Sequence, residues 1–306
     1  MKSKSNSKKP AIVIDGLSKR YSGSDKLALD NLSLKIYAGE VYGFLGPNGA
    51  GKSTAIRILM NFLTPTSGKA SVRGYGIVND SLQIRKSIGY LSGDLAMYPK
   101  MTGRQFLNYM SDLQSENCEA NIVSLAKRFS ADLNKKTGEL SRGNRQKIGI
   151  IQAFMHEPKI LILDEPTSGL DPLVQETFHE LVQEFKQRGA CIFMSSHVLG
   201  EVQKMCDRVG IIRSGRLVSE NNIAEMATEA MQTFDIVFAG KVPMNELSKI
   251  KGAKNITQDG NNVTLHMHGK LALLFAVLAK HDVLKIDSRN LDLEEAFIRF
   301  YEEEDK

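Results

Sequence analysis

Three short apolar runs, Val41–Leu45, Ile160–Leu163 and Ala190–Met194, interrupt the mixed pattern of this chain. They are continuous rather than alternating, and they stop abruptly at Gly46, Asp164 and Ser195. Such runs mark strands buried on both faces, the habit of a parallel sheet. A different pattern precedes them. Leu32, Leu34 and Ile36 alternate with Ser33, Lys35 and Tyr37, which predicts a half-buried antiparallel strand. Ala11–Ile14 is a short β-type run followed by a polar turn over Lys19–Gly23, and Ser71–Val72 closes a further strand before Arg73-Gly74. Helical spacing appears in Ile56, Leu59, Met60 and Leu63, and again in Ile148, Ile151 and Met155. It recurs in Val174, Phe178, Leu181, Val182 and Phe185, with Gly189 as the stop. Residues 86–139 are polar, read as mostly helical and carry no strong strand signal. With the helix after Ser141 they predict a helical insertion over about 86–155.

From about residue 222 the pattern changes. Thr233–Phe238 and Asn262–His268 alternate like strands, Lys270–His281 reads as a helix, and Val283–Asp287 reads as another strand. Asp292 and Glu295 have capping-box spacing for a last helix through Phe297 and Phe300. The order ββαβα predicts a small α+β module over 222–306. His266 and His268 share one strand face, and with no further ligand pair nearby they read as surface or packing histidines rather than metal ligands.

At 306 residues the chain is long enough for two domains, and its 42 % hydrophobic and 25 % charged content is that of an ordinary globular protein. The net charge of +5 is mild. Much of it lies in residues 1–10, where Lys2, Lys4, Lys8 and Lys9 fall among Ser and Asn. That stretch lacks the apolar core of a secretory signal and reads as a disordered basic tail. The best apolar run for a membrane span, Leu271–Ala279, is less than half the required length. If the protein serves a membrane process, another chain must cross the bilayer. Cys118, Cys191 and Cys206 are far apart and show no metal spacing, which fits a reducing cytosol with Cys191 packed in a strand.

The chemistry begins directly after the first apolar run. Gly46-Pro47-Asn48-Gly49-Ala50-Gly51-Lys52-Ser53-Thr54 fits the phosphate-binding loop G-x-x-x-x-G-K-[ST], in the strand–turn–helix setting that it needs. Its glycines let several N–H groups aim at one point, and the helix start adds partial positive charge there. Lys52 can reach the β and γ phosphates, and the Ser53 hydroxyl can bind Mg²⁺. The four fixed positions match by accident in roughly 1 chain in 100 of this length, so the setting matters as much as the letters. Asp164-Glu165 ends the second apolar run. Ligands of open parallel sheets sit beyond the carboxyl ends of the strands, so these acids face the phosphates. Asp164 would hold Mg²⁺, and Glu165 would orient and deprotonate the attacking water. Ser141 is a natural N-cap, and exposed amides at Ser141 and Gly143 would form a second anion site. His197 follows the third run; a lone His at a strand end is usually just exposed, but at the end of a strand of the same parallel sheet it could donate a hydrogen bond to a γ-phosphate.

Four segments, GPNGAGKST at 46–54, LSRGN at 140–144, ILILDEPTSGLDP at 160–172 and SSH at 195–197, then come in an order that resembles the nucleotide-binding subunit of an ABC transporter. The resemblance covers residues 10 to about 220. It implies an α/β fold: a P-loop NTPase cassette over 11–221, a mixed sheet with flanking helices and the helical subdomain, followed by the α+β domain. It also implies roles. Tyr21 resembles the aromatic that stacks on adenine, and residues 46–54 bind the phosphates of ATP. Ser53 and Asp164 serve Mg²⁺, Glu165 is the base, and His197 is the switch histidine. Ser168–Asp171 resemble the loop that crosses between subunits. Ser141 and Gly143 resemble the signature that touches ATP held by an opposite cassette, which gives the second anion site a purpose in a head-to-tail pair.

Some positions depart from the family pattern. Arg142 and Asn144 stand where the signature usually has Gly and Gln. Gly93 stands where a Gln usually contacts Mg²⁺, and Asp94 is read as its substitute by adjacency. The last segment, DLEEAFIRFY, is similar to the C-terminal extensions of drug- and antibiotic-export cassettes. The expectation is an ATP hydrolase driving transport, in the export direction, through a separate transmembrane permease. It would pair with a second cassette, a copy of itself, and lie peripherally on the inner face of the cell membrane. No nucleic-acid partner is expected. The rival reading, a soluble cassette ATPase acting on ribosome or DNA, usually has two cassettes with a charged linker or a long coiled coil, and neither pattern occurs in the sequence.

Overall fold

The computed structural model describes residues 9–114, 117–229, 232–267 and 269–290. Lys2, Lys4, Lys8, His268 and the helix expected over Asp292–Phe300 lie outside them. The chain divides into two compact units, 1–221 and 222–306.

The first unit opens with β1 (Pro10–Arg20), β2 (Leu27–Tyr37) and β3 (Val41–Leu45), then α1 (Lys52–Leu59), β4 (Ser67–Val72), β5 (Tyr75–Gly76) and α2 (Ser81–Ser87). Next come β6 (Ile88–Leu91), α3 (Gly103–Gln114), α4 (Glu119–Arg128) and, after a 3₁₀ turn at Thr137–Glu139, α5 (Arg142–Phe154). It closes with β7 (Ile160–Asp164), α6 (Pro172–Gln187), β8 (Cys191–Ser196), α7 (Leu199–Met205), β9 (Arg208–Arg213) and β10 (Arg216–Asn222). The β1 strand continues through Lys19–Arg20, where the sequence suggested a turn, because those residues pair with Leu29 and Leu27 of β2.

Two sheets share one core. β2, β1, β4 and β5 form a four-stranded sheet, and β10, β9, β3, β8, β7 and β6 form a six-stranded sheet in that order. Ile12, Ile14, Leu34 and Ile36 of the smaller sheet join Phe44, Ile162 and Phe193 of the larger one in a single buried cluster, with Ile56, Ile58 and Leu59 of α1 among them. α1 touches β7 as well as β2 and β4, so the phosphate loop is anchored between the sheets. Strands β3, β7 and β8 are buried at every residue, as their continuous apolar runs require. They run parallel, with Leu45 opposite Ser196 and Asp164 opposite Ser195. That register sets the phosphate loop, Glu165 and His197 side by side beyond the carboxyl ends of three central strands.

One reading of the 86–139 region needs correction. Ile88–Leu91 forms the parallel edge strand β6, paired with β7, so after the end of α2 the next helix begins only at α3. The run is four residues long and flanked by Lys86, Ser87, Ser92 and Asp94, which conceals it. Its burial comes from α5: a Cβ on Gly89 would stand 2.1 Å from the Ala153 carbonyl oxygen, so only glycine lets that strand and helix approach so closely.

The second unit contains α8 (Ile223–Glu229), β11 (Gln232–Phe238), α9 (Met244–Leu247), β12 (Ala253–Asp259), β13 (Asn262–Met267), α10 (Ala272–Leu278) and β14 (Val283–Asn290). Its four strands form an antiparallel sheet in the order β12-β13-β11-β14. Phe234, Ile236, Phe238, Val263, Leu265 and Met267 pack with Leu247, Leu274 and Leu278 in its own core. The sequence pattern missed β12 because that edge strand buries no residue and so has no alternation to display. Among the described residues the unit therefore carries one strand, β12, and two helices, α8 and the short α9, beyond the expected ββαβα. Also among the described residues, no helix is long and apolar enough to cross a membrane, and no group of three or more His, Cys, Asp or Glu stands placed to hold a metal ion.

Candidate functional site: a nucleotide cleft

Gly51, the residue before α1, has φ 112°, and a Cβ there would stand 2.5 Å from the Ala28 carbonyl oxygen. A glycine is thus required for the chain to turn into α1. The loop closes on its own lysine: Lys52 is buried, and its Nζ donates to the carbonyls of Gly46 (2.7 Å) and Pro47 (3.2 Å). The loop is tied to its neighbours by Gly46 N–H donating to Ser196 O at 3.2 Å and Gly215 N–H donating to Ala50 O at 2.9 Å. Tyr21 stands at its open side, half exposed, with its hydroxyl 3.2 Å from Thr54 Oγ1.

Asp164 is buried and its Oδ1 accepts the Ser195 hydroxyl at 2.5 Å, while Ser195 Oγ in turn accepts the Glu165 N–H at 3.1 Å. Glu165 adopts φ 50°, a left-handed conformation that costs a non-glycine residue about 1–2 kcal/mol. The bend points its carboxylate across the cleft. One oxygen lies 3.3 Å from Lys52 Nζ and the other 2.6 Å from His197 Nδ1. The base, the phosphate-binding lysine and the histidine named from sequence therefore meet at one point.

Around them opens a cleft of about 580 Å³, lined by Tyr21, Pro47–Gly49, Gly51–Thr54, Asp164, Glu165 and His197. Gly46 and Ala50 stand behind this wall as its backbone support. Three further expected residues do not line it. Ser141 caps α5 by accepting the Asn144 N–H at 3.3 Å, Asp171 caps α6 by accepting the Val174 N–H at 3.0 Å, and Gly143 packs on the Gly169 carbonyl. Two other lining residues, Ala28 and Arg57, carried no role in the sequence reading, while Ser168 of the expected crossing loop and Arg142 of the signature segment also line the cleft. Gly93 and Asp94 line it as well, and a Cβ on Gly93 would stand 3.4 Å from the Asp164 carboxylate. Nearby, burial holds the Tyr90 phenol above its ordinary range; the Asp164 charge adds to this, while a Ser92 hydrogen bond and Arg57 oppose it.

Residues 29–168 match the family model described as ABC transporter. The ATP-binding protein NatA of Bacillus subtilis is 35 % identical over 240 residues, a match covering 76 % of this chain and 98 % of NatA. This chain belongs to the ABC transporter ATP-binding proteins. It is accordingly an ATP-binding subunit and an ATP hydrolase. Another ABC relative, the bacitracin transport ATP-binding protein BcrA of Bacillus licheniformis, is 32 % identical over 92 % of this chain and 94 % of BcrA. Among solved structures, one described as the ATP binding subunit of an ABC transporter superposes with a TM-score of 0.66 at 28 % identity, covering 71 % of this chain and 91 % of that one.

Proposed function

We propose that this chain is the motor of an exporter, hydrolysing ATP in a head-to-tail pair of cassettes to drive a separate transmembrane permease. The observation that carries the reading is the Glu165 carboxylate held between Lys52 and His197 at the mouth of the phosphate loop. In this reading Tyr21 stacks on adenine, the amides of 46–54 and Lys52 hold the phosphates, and His197 donates to the γ-phosphate. Glu165 takes a proton from the attacking water as its oxygen bonds to the γ-phosphorus and the bond to the ADP oxygen breaks.

Mg²⁺ fits the residues present. Ser53 and Asp164 supply hydroxyl and carboxylate oxygens in one cleft, the hard donors that this ion takes. When bound it would offset the charge of the β and γ phosphates. Asp94 at the cleft wall stands in for the side chain that Gly93 lacks.

Ser141, Gly143 and Asp171 lie outside the chain's own cleft, which supports their use by the nucleotide of a second copy. The BcrA match covers 92 % of this chain and so reaches into the second unit, and BcrA is named for bacitracin transport, which supports a transport role. A permease partner would place the protein on the inner face of the cell membrane. The test has two parts. Lys52→Ala should abolish ATP binding. Glu165→Gln should bind ATP, stall hydrolysis and accumulate as a dimer, with an integral membrane protein co-purifying from detergent-solubilised membranes. A Glu165→Gln protein with near-normal turnover removes Glu165 as the base.

A further inference from the structure

Helix α5 grips the loop that carries Glu165 in the same chain. Gln146, 5 % exposed, donates through Nε2 to Pro166 O at 2.7 Å and reaches Glu165 O at 3.4 Å. Arg142, one turn earlier on the same face, donates through Nη2 to the Ser168 hydroxyl at 2.7 Å. Between these contacts Gly143 and Gly169 meet backbone to backbone: a Cβ on Gly143 would stand 2.8 Å from the Gly169 carbonyl oxygen. The Arg142 stem lies over Gly169, with Cγ and Cδ 3.3 Å from where a Cβ would be. The Glu165 carbonyl also accepts the Ser168 N–H at 3.2 Å. The turn that holds Glu165 at φ 50° is thus closed from within and pinned from outside by α5.

The first turn of α5 therefore looks two ways. Ser141 and Gly143 belong to the surface read above as receiving the partner's triphosphate. Arg142 and Gln146 hold the chain's own base loop. Resting on that reading, we propose that Gln146 and Arg142 are positioning residues that couple the nucleotide bound by the partner cassette to the orientation of Glu165 in their own chain. An α-helix moves as a rod over one turn, so a shift of Ser141 and Gly143 onto a phosphate carries Gln146 with it. The two carbonyls it binds must follow or lose a buried donor. Glu165 sits in a sparsely populated backbone region, where a small displacement of its carbonyl redirects the side chain.

The experiment uses the full chain. Gln146→Met keeps the shape and removes the donors; Arg142→Ala removes the link to Ser168, and Arg142→Lys restores a donor. ATP turnover is measured against ATP concentration, and ATP-induced dimerisation is measured for each substitution placed in the Glu165→Gln chain. The expected result is that Gln146→Met and Arg142→Ala lower kcat about tenfold with KM within about twofold, the mark of an interaction made only in the transition state. Arg142→Lys recovers most of the loss, and dimerisation persists throughout. A role in folding alone would lower the active fraction and the thermal midpoint together, and Arg142→Lys would recover neither. The inference is overturned if folded Gln146→Met and Arg142→Ala turn over like the parent, or if KM rises with kcat unchanged. Should Gln146→Met not fold, the exposed Arg142 pair decides alone. A parent that does not hydrolyse ATP, or a Glu165→Gln chain that stays monomeric with ATP, overturns the dimer motor instead.

Discussion

Replacing Glu165 by Gln should tighten ATP binding, separately from its effect on hydrolysis. The carboxylate lies 3.3 Å from Lys52 Nζ, where a γ-phosphate would compete for the same ammonium. Coulomb's law at an effective dielectric of about 20 gives ~5 kcal/mol for that pair before desolvation and screening. Much of this is recovered on binding, because Lys52 keeps the Gly46 and Pro47 carbonyls and exchanges a carboxylate for a phosphate. The Glu165 side chain is also 21 % exposed, so water screens it. What remains is the repulsion of one carboxylate by a polyphosphate, together with the lost competition. We take this as ~1.4 kcal/mol, about tenfold in affinity. The assay is equilibrium binding of a fluorescent ATP analogue at protein concentrations too low for dimers. Glu165→Asp keeps the charge and should gain little. Unchanged or weaker binding by Glu165→Gln, or an equal gain by Glu165→Asp, would refute the competition between carboxylate and phosphate.

Glu165→Gly should unfold in urea with a free energy about 1 kcal/mol above that of Glu165→Ala, because only alanine must hold the left-handed backbone at this position; equal values would mean that the turn relaxes. Asp94→Ala should raise the half-saturating Mg²⁺ for ATP turnover and for Mg²⁺-dependent nucleotide binding about tenfold, and no change in either would remove Asp94 from the ion's surroundings. Burial, with a smaller contribution from the Glu40 charge, pushes the Cys191 thiol up to about 12. Its contribution to stability is therefore complete below the unfolded value of 9.0 and is lost as pH rises towards about 12. Parent unfolding free energy should fall relative to Cys191→Ala by ~1.4 kcal/mol per pH unit once the unfolded thiol ionises, and parallel profiles between pH 8 and 10 would contradict this.

The parts of the cassette that could be read from sequence are those in which one local stretch does one job. Continuous apolar runs announce β3, β7 and β8 because burial on both faces leaves no polar position to interrupt them. The loop at 46–54 announces itself because a backbone cradle needs glycines at fixed offsets and a lysine at its end. Weak runs were lost where the environment, and not the residues, decides. Ile88–Leu91 becomes a strand because α5 covers it and β7 offers its edge. Ala253–Asp259 becomes one with no buried residue at all, by pairing with β13.

The grip of α5 on the base loop was invisible for a further reason. Gln146 acts on Pro166 and Arg142 on Ser168, separations of 20 and 26 residues, and the acceptor in the first case is a backbone carbonyl. Side chain-to-carbonyl bonds of this kind place no demand on the acceptor's residue type, so no motif records them. The sequence can nominate residues for meeting a phosphate, because phosphate chemistry restricts which side chains can serve. The aim of Glu165 is decided by residues free of that restriction, which only the folded arrangement of α5 against 165–169 brings into view.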